Sequence, residues 1–166
     1  MDELRKVFDA MGFSGVETFI ASGNVIFETT ARTVATLEKR IEMQLRASLG
    51  YDVATFLRSP AELAEAVTRA PFAHGATDLA GGSLYVGFLR TAPGDDVREK
   101  VLALRSPVDE LGLHGRELYW LARERMTGSK ISNARLERVL GMPMTMRNIT
   151  TVRTLAAKYT PLLGTH

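Results

Sequence analysis

Leu84-Tyr85-Val86-Gly87-Phe88-Leu89 opens the half of the chain whose order of elements decides the fold. Aliphatic and aromatic residues run together there over a length suited to a buried strand. Pro93-Gly94-Asp95 then turns the chain, and Asp95 is placed to cap a helix carrying Val97, Val101, Leu102 and Leu104. Gly112 to Gly115 reads as a turn, followed by a strand over Glu117–Leu121. Ser132 is placed to cap a helix through Leu136, Val139 and Leu140, with Gly141 as its stop. Met144 to Arg147 reads as a short strand, and Asn148 or Thr150 can cap a last helix through Val152, Leu155 and Ala156.

Written as letters, this half is β-α-β-β-α-β-α, which contains the ferredoxin-like βαββαβ order. Working back toward the start, Leu4, Val7, Phe8 and Met11 make one apolar helical stripe that Gly12 can end. Val16–Ile20 and Val25–Phe27 are β-rich and flank the turn-forming Ala21-Ser22-Gly23-Asn24. Val34, Leu37, Ile41, Leu45 and Leu49 line a long helix stopped by Gly50, and Val53 to Leu57 reads as a strand. Ser59-Pro60-Ala61-Glu62 carries the elements of a capping box before a further helix. The first half is thus α-β-β-α-β-α, one leading strand short of the same order. The expected fold class is α+β, with two tandem ferredoxin-like modules, the first missing its initial strand. Residues 1–73 form the first module, the glycine-rich 74–82 a linker, and 83–166 the second module.

Bulk properties narrow the function classes. A chain of 166 residues with 45% hydrophobic and 24% charged residues can bury a full core without staples. It has no cysteine, which excludes disulfides, thiolate metal sites and cysteine nucleophiles and fits a reducing, cytoplasmic setting. No apolar run approaches a membrane span, and Met1-Asp2-Glu3-Leu4-Arg5-Lys6 lacks the apolar core of a signal peptide. The net charge of +2 is unevenly distributed: residues 116–158 hold nine Lys/Arg against three acids. That asymmetry suits an anionic partner, and it also suits a plain solvated basic face.

Three segments carry a resemblance. Thr18-Phe19-Ile20-Ala21-Ser22-Gly23-Asn24-Val25-Ile26-Phe27, Gly128-Ser129-Lys130-Ile131-Ser132-Asn133 and Thr145-Met146-Arg147-Asn148-Ile149-Thr150-Thr151-Val152 run in this order along most of the chain. Together they resemble a bacterial family of unknown function, the domain-of-unknown-function family 1697. The resemblance implies an α+β fold and no particular activity. It also implies a strand and a glycine-containing turn ahead of the first helix, and this chain begins inside that helix. The first sheet is therefore expected to be incomplete, or filled by a partner chain as in a homodimer.

The candidate site residues sit at turns and helix starts. Lys130 and Ser132 precede one predicted helix, and Arg147, Asn148 and Thr151 surround the start of another. Free amides and the dipole at a helix start favour an anion, and a guanidinium matches phosphate or carboxylate bidentately. The same residue types are ordinary caps, so both readings stand. Ser22 and Asn24 are possible additions to the site, although a turn explains them equally well. The expected function is binding of an anionic small molecule or a nucleic acid. The alternatives are an enzyme using the same cluster, with Lys130 as acid or electrostatic group, and an interaction protein without a ligand site. Gly128-Ser129-Lys130 fails the phosphate-loop pattern, since lysine does not directly follow a second glycine. No close histidine pair supports a metal, and the dinucleotide fingerprint G-x-G-x-x-G is absent, so no cofactor is expected. Tyr119 and Trp120 on a strand raise base stacking, although aromatic residues on strands are usually core.

Overall fold

The computed structural model describes residues 2–19, 23–69, 83–123 and 131–159. The chain divides into two compact units, Met1–Leu57 and Arg58–His166. It is mixed α and β throughout: six helices and two antiparallel sheets are found among the described residues.

In the first unit, α1 (Asp2–Ala10) and α2 (Val34–Leu49) flank a hairpin of β1 (Ser14–Phe19) and β2 (Asn24–Glu28). The helical stripe read from the sequence becomes the core: Val7 and Phe8 of α1 and Leu37, Ile41 and Leu45 of α2 cluster with Phe13 and Val16. Phe8 and Phe27 sit with ring centroids 5.3 Å apart, within the range of favourable aromatic pairing. Among the described residues this sheet has two strands. Val53–Leu57, expected as a strand, is not one. The Thr55 and Leu57 amides donate to the Glu42 and Glu38 carboxylates, at 2.8 and 2.9 Å, where a strand would donate to a neighbouring backbone. Glu38 and Glu42 are one helical turn apart, so α2 presents both carboxylates on one face.

The second unit begins with α3 (Pro60–Thr68). Ser59 Oγ accepts from the Glu62 amide at 3.1 Å and the Glu62 carboxylate accepts from the Ser59 amide at 3.0 Å, which closes the expected capping box. Then follow β3 (Ser83–Phe88), α4 (Asp95–Leu102), β4 (Asp109–His114), β5 (Glu117–Ala122), α5 (Asn133–Leu140), β6 (Thr145–Asn148) and α6 (Ile149–Tyr159). The sheet is antiparallel with spatial order β4-β5-β3-β6. The span β3 to β6 follows the βαββαβ order anticipated above. One expectation changes in detail: β4 runs through Gly112, so the hairpin turn is confined to Gly115-Arg116.

Strand alternation sends side chains to two faces. Leu89, Leu111, Leu118 and Trp120 meet Val101 of α4 and Leu136 and Leu140 of α5. On the other face are Leu84, Val86, Phe88, Tyr119 and Leu121, all buried, on the side where Tyr119 bonds to α3; α6 packs on β3 and β6, and α3 packs on α6. The sequence reading put α3 in the first module with a boundary at 74–82. In the structure α3 is held by α6 and by bonds to β5, so it belongs to the second unit, while 74–82 lies outside the described residues.

Close packing explains one glycine. A Cβ at Gly87 in β3 would run into the Met144 thioether and come near Leu118. Met144 is buried in the α4–α5 core, so it has little room to withdraw.

Candidate functional site

Topology gathers the helix starts of the second unit. β5 and β6 both run antiparallel to β3, so they are parallel to each other, and α5 joining them runs back the other way. The N-terminus of α5 therefore lies at the C-terminal end of β5. α6 starts directly from the C-terminal end of β6. Both starts share one end of the sheet, the edge where βα crossovers commonly build sites.

Ser132, Arg147 and Asn148 each have a local role there. Ser132 Oγ accepts from the Arg135 amide at 3.1 Å and caps α5. Asn148 Oδ1 accepts from the Thr150 amide at 2.9 Å and caps α6. Arg147 pairs with Val86 across the ladder, which places it on the α3–α6 face, while its neighbour Met146 packs with the α4–α5 core. Arg147 Nη1 donates to Thr145 Oγ1 at 2.7 Å and to the Met146 carbonyl at 2.9 Å. The guanidinium is half-buried, and this desolvation holds its pKa below the ordinary arginine value. Thr151 is half-buried in the first turn of α6. Ser132, Arg147, Asn148 and Thr151 are thus brought to one end of the sheet, with Ser132 and Arg147 on opposite faces. Lys130 and Ser22 lie outside the described residues. Asn24 belongs to the first unit, where its Nδ2 donates to the Phe19 carbonyl at 3.2 Å across a hairpin whose Gly23 takes a φ of +81°. That is the turn role.

A second feature was not foreseen. Between α3 and the β4–β5 hairpin lies a cleft of about 230 Å³ lined by Glu62, Glu65, Arg69, His114, Arg116 and Tyr119 among others. One lining residue, Glu117, is paired with a buried guanidinium. Arg58 Nε donates to Glu117 at 2.9 Å, and Nη2 donates to the carbonyls of Leu89 at 2.6 Å and Arg116 at 3.0 Å. The Arg58 side chain is 4% exposed and that of Glu117 14%, and the guanidinium lies 5.2 Å from the Phe88 ring centroid. Around it, Arg116 pairs with Glu62 and Arg69 with Glu65. Burial pushes the Glu62 carboxyl up. The Ser59 amide, the Arg116 hydrogen bond and charge, and the Arg58 charge outweigh that and hold it below the ordinary value. Burial pushes the Tyr119 phenol well above its usual range, with the Glu117 and Glu65 carboxylates adding to it against Arg69. The phenol stays a neutral donor, and it donates to the Ala66 carbonyl at 2.7 Å.

The pairing inside this cleft makes it a clamp. Its three acids are all paired, Glu62 with Arg116, Glu65 with Arg69 and Glu117 with Arg58, and the first of these pairs ties α3 to the hairpin. Sequence reasoning missed these residues because the pairs that cross the cleft join positions far apart in the chain, 54 for Glu62–Arg116 and 59 for Arg58–Glu117. One local signal did exist: Glu117 and Tyr119 alternate on a strand and must share a face.

The base-stacking reading loses its surface. Tyr119 is 1% exposed and Trp120 7%, and the Trp120 indole donates to the buried Asp109 carboxylate at 2.8 Å. Among the described residues no cluster of acids and histidines could hold a metal ion, and no helix is long and apolar enough to cross a membrane.

Comparison with known proteins adds fold and family. The chain is similar to the conserved bacterial protein SP0830 from Streptococcus pneumoniae, whose solved structure superposes with a TM-score of 0.74 at 24% identity, covering 96% of this chain and 88% of that one. At that identity the likeness speaks for the fold alone. No curated protein matches the chain. Residues 1–119 match the family described as "Protein of unknown function (DUF1697)".

Proposed function

Since the chain belongs to the DUF1697 family of proteins of unknown function, which brings no activity with it, we propose from its geometry that the second unit binds an anionic ligand. The site is the sheet end where α5 and α6 begin. The single observation that carries the reading is Arg147. Its guanidinium is half-buried on the strand that leads directly into α6, bonded to Thr145 Oγ1 and the Met146 carbonyl, where desolvation already weighs against its charge. An anion docked there recovers part of that cost through charge-assisted hydrogen bonds. The amides of the first turn of α6 and the Thr151 hydroxyl add donors, and the basic excess of residues 116–158 raises the local anion concentration. Ser132 and Asn148 act by capping, which aims the helix starts and leaves the charge to Arg147 and to Lys130.

Calorimetric titration with pyrophosphate, ATP and a short single-stranded oligonucleotide tests this. The account expects at least one of them to bind and Arg147→Met to weaken it by about tenfold or more, the loss of a charge-assisted contact. Salt separates the ligand classes: a nucleic acid loses affinity steeply and log-linearly with salt, while a small anion does so shallowly. Unchanged affinity in Arg147→Met, or no binding by any of the three, contradicts the reading.

A second reading concerns the first unit. Among the described residues its sheet has two strands, and the Thr55 and Leu57 amides rest on glutamate carboxylates. In the second unit the first strand, β3, is central and pairs on both sides. We propose that a strand from a second copy completes the first sheet in a homodimer. Sedimentation over a hundredfold concentration range decides it, a single monomeric species throughout being the contrary result.

A further inference from the structure

Arg69 and His114 face each other across the cleft. Arg69 is the C-cap of α3, and His114 is the last residue of β4. Arg69 Nη1 lies 2.9 Å from His114 Nε2. A guanidinium can only donate, so the imidazole nitrogen must be the acceptor. That fixes the ring as neutral, with its proton on Nδ1. A protonated ring carries N–H on both nitrogens, and two donors then meet with like charge. The contact is compatible with one protonation state only.

The surroundings supply the other half of a switch. From α3, Glu65 pairs with Arg69 Nε at 2.7 Å and Glu62 pairs with Arg116. From β5, Glu117 stands directly across the ladder from His114 and is held by Arg58, and the Tyr119 phenol is committed to the Ala66 carbonyl. When the ring gains a proton it loses Arg69 and gains a reason to turn toward Glu65 or Glu117. The tie lost is the one at the C-terminal end of α3. The ties at its N-terminal half, the capping box and Arg116–Glu62, do not involve the ring.

We propose that the Arg69–His114 contact is a proton-sensitive strap across this cleft, closed when His114 is neutral and released when it is protonated. Release frees the last turn of α3 and widens the cleft while the buried Arg58–Glu117 pair stays in place.

The test uses the full chain with 15N-labelled histidine. At about pH 7.5 the His114 signals should report the Nδ1–H tautomer, against the Nε2–H form usual for a free imidazole. Amide exchange at Val67–Arg69, corrected for its intrinsic pH dependence, should accelerate by about fivefold or more between about pH 7.5 and pH 5.5. His114→Asn keeps an acceptor for Arg69 and carries no ionisable group, so its corrected exchange should stay flat. An Nε2–H tautomer at neutral pH overturns the proposal, and so does equal acceleration in wild type and His114→Asn.

Discussion

Arg58 holds the most deeply buried ion pair found among the described residues. Its guanidinium is taken out of water together with the Glu117 carboxylate, and the pair is stable only because two carbonyls and a ring face complete its surroundings. Removing one member leaves a buried charge alone. Arg58→Ala is expected to lower stability by about 3–5 kcal/mol, measured by urea unfolding. Tyr119→Phe removes only the hydrogen bond to the Ala66 carbonyl and should cost about 1 kcal/mol in the same assay. Glu62 gives a pH signature. Its carboxyl sits below the ordinary value of 4.5 when folded, so its contribution is complete above that pH and fades as the pH falls through the folded value. The slope of stability against pH below about 4.5 should therefore be shallower in Glu62→Gln than in wild type.

Among the elements, α3 shows best what a sequence can and cannot reveal. Its start was fully legible: Ser59, Pro60 and Glu62 spell a capping box, and the structure closes it through both bonds. Ser59→Ala is expected to cost about 1 kcal/mol through loss of the cap, seen as a lowered midpoint in thermal unfolding. The allegiance of α3 was not legible. The residues that attach it to the second unit find partners 31 to 59 positions away, as in Arg58–Leu89 and Arg58–Glu117, and no periodicity encodes such distances. The segment 53–57 misled for a related reason. Val53 and Leu57 alternate like a strand and do pack on the core, but strand identity needs a backbone partner, and α2 supplies carboxylates to these amides. β4 was obscured by Gly112, a turn former by type that the ladder holds opposite Tyr119.

For the molecule as a whole, the α+β class and the βαββαβ order of the second unit follow from hydrophobic period and punctuation, because both are local. The candidate site was legible as residue types and not as an arrangement. Ser132 and Asn148 are the caps that their positions allowed them to be, whereas the burial of Arg147 arises from the ladder it joins. That shared sheet end is where the account locates function. The most direct measurement is an amide chemical-shift map of the labelled full chain titrated with pyrophosphate. The account predicts saturable shifts concentrated at Arg147 and Ile149–Thr151, weakened by Arg147→Met. Shifts confined to the cleft between α3 and the β4–β5 hairpin, or none at saturating pyrophosphate, would contradict it.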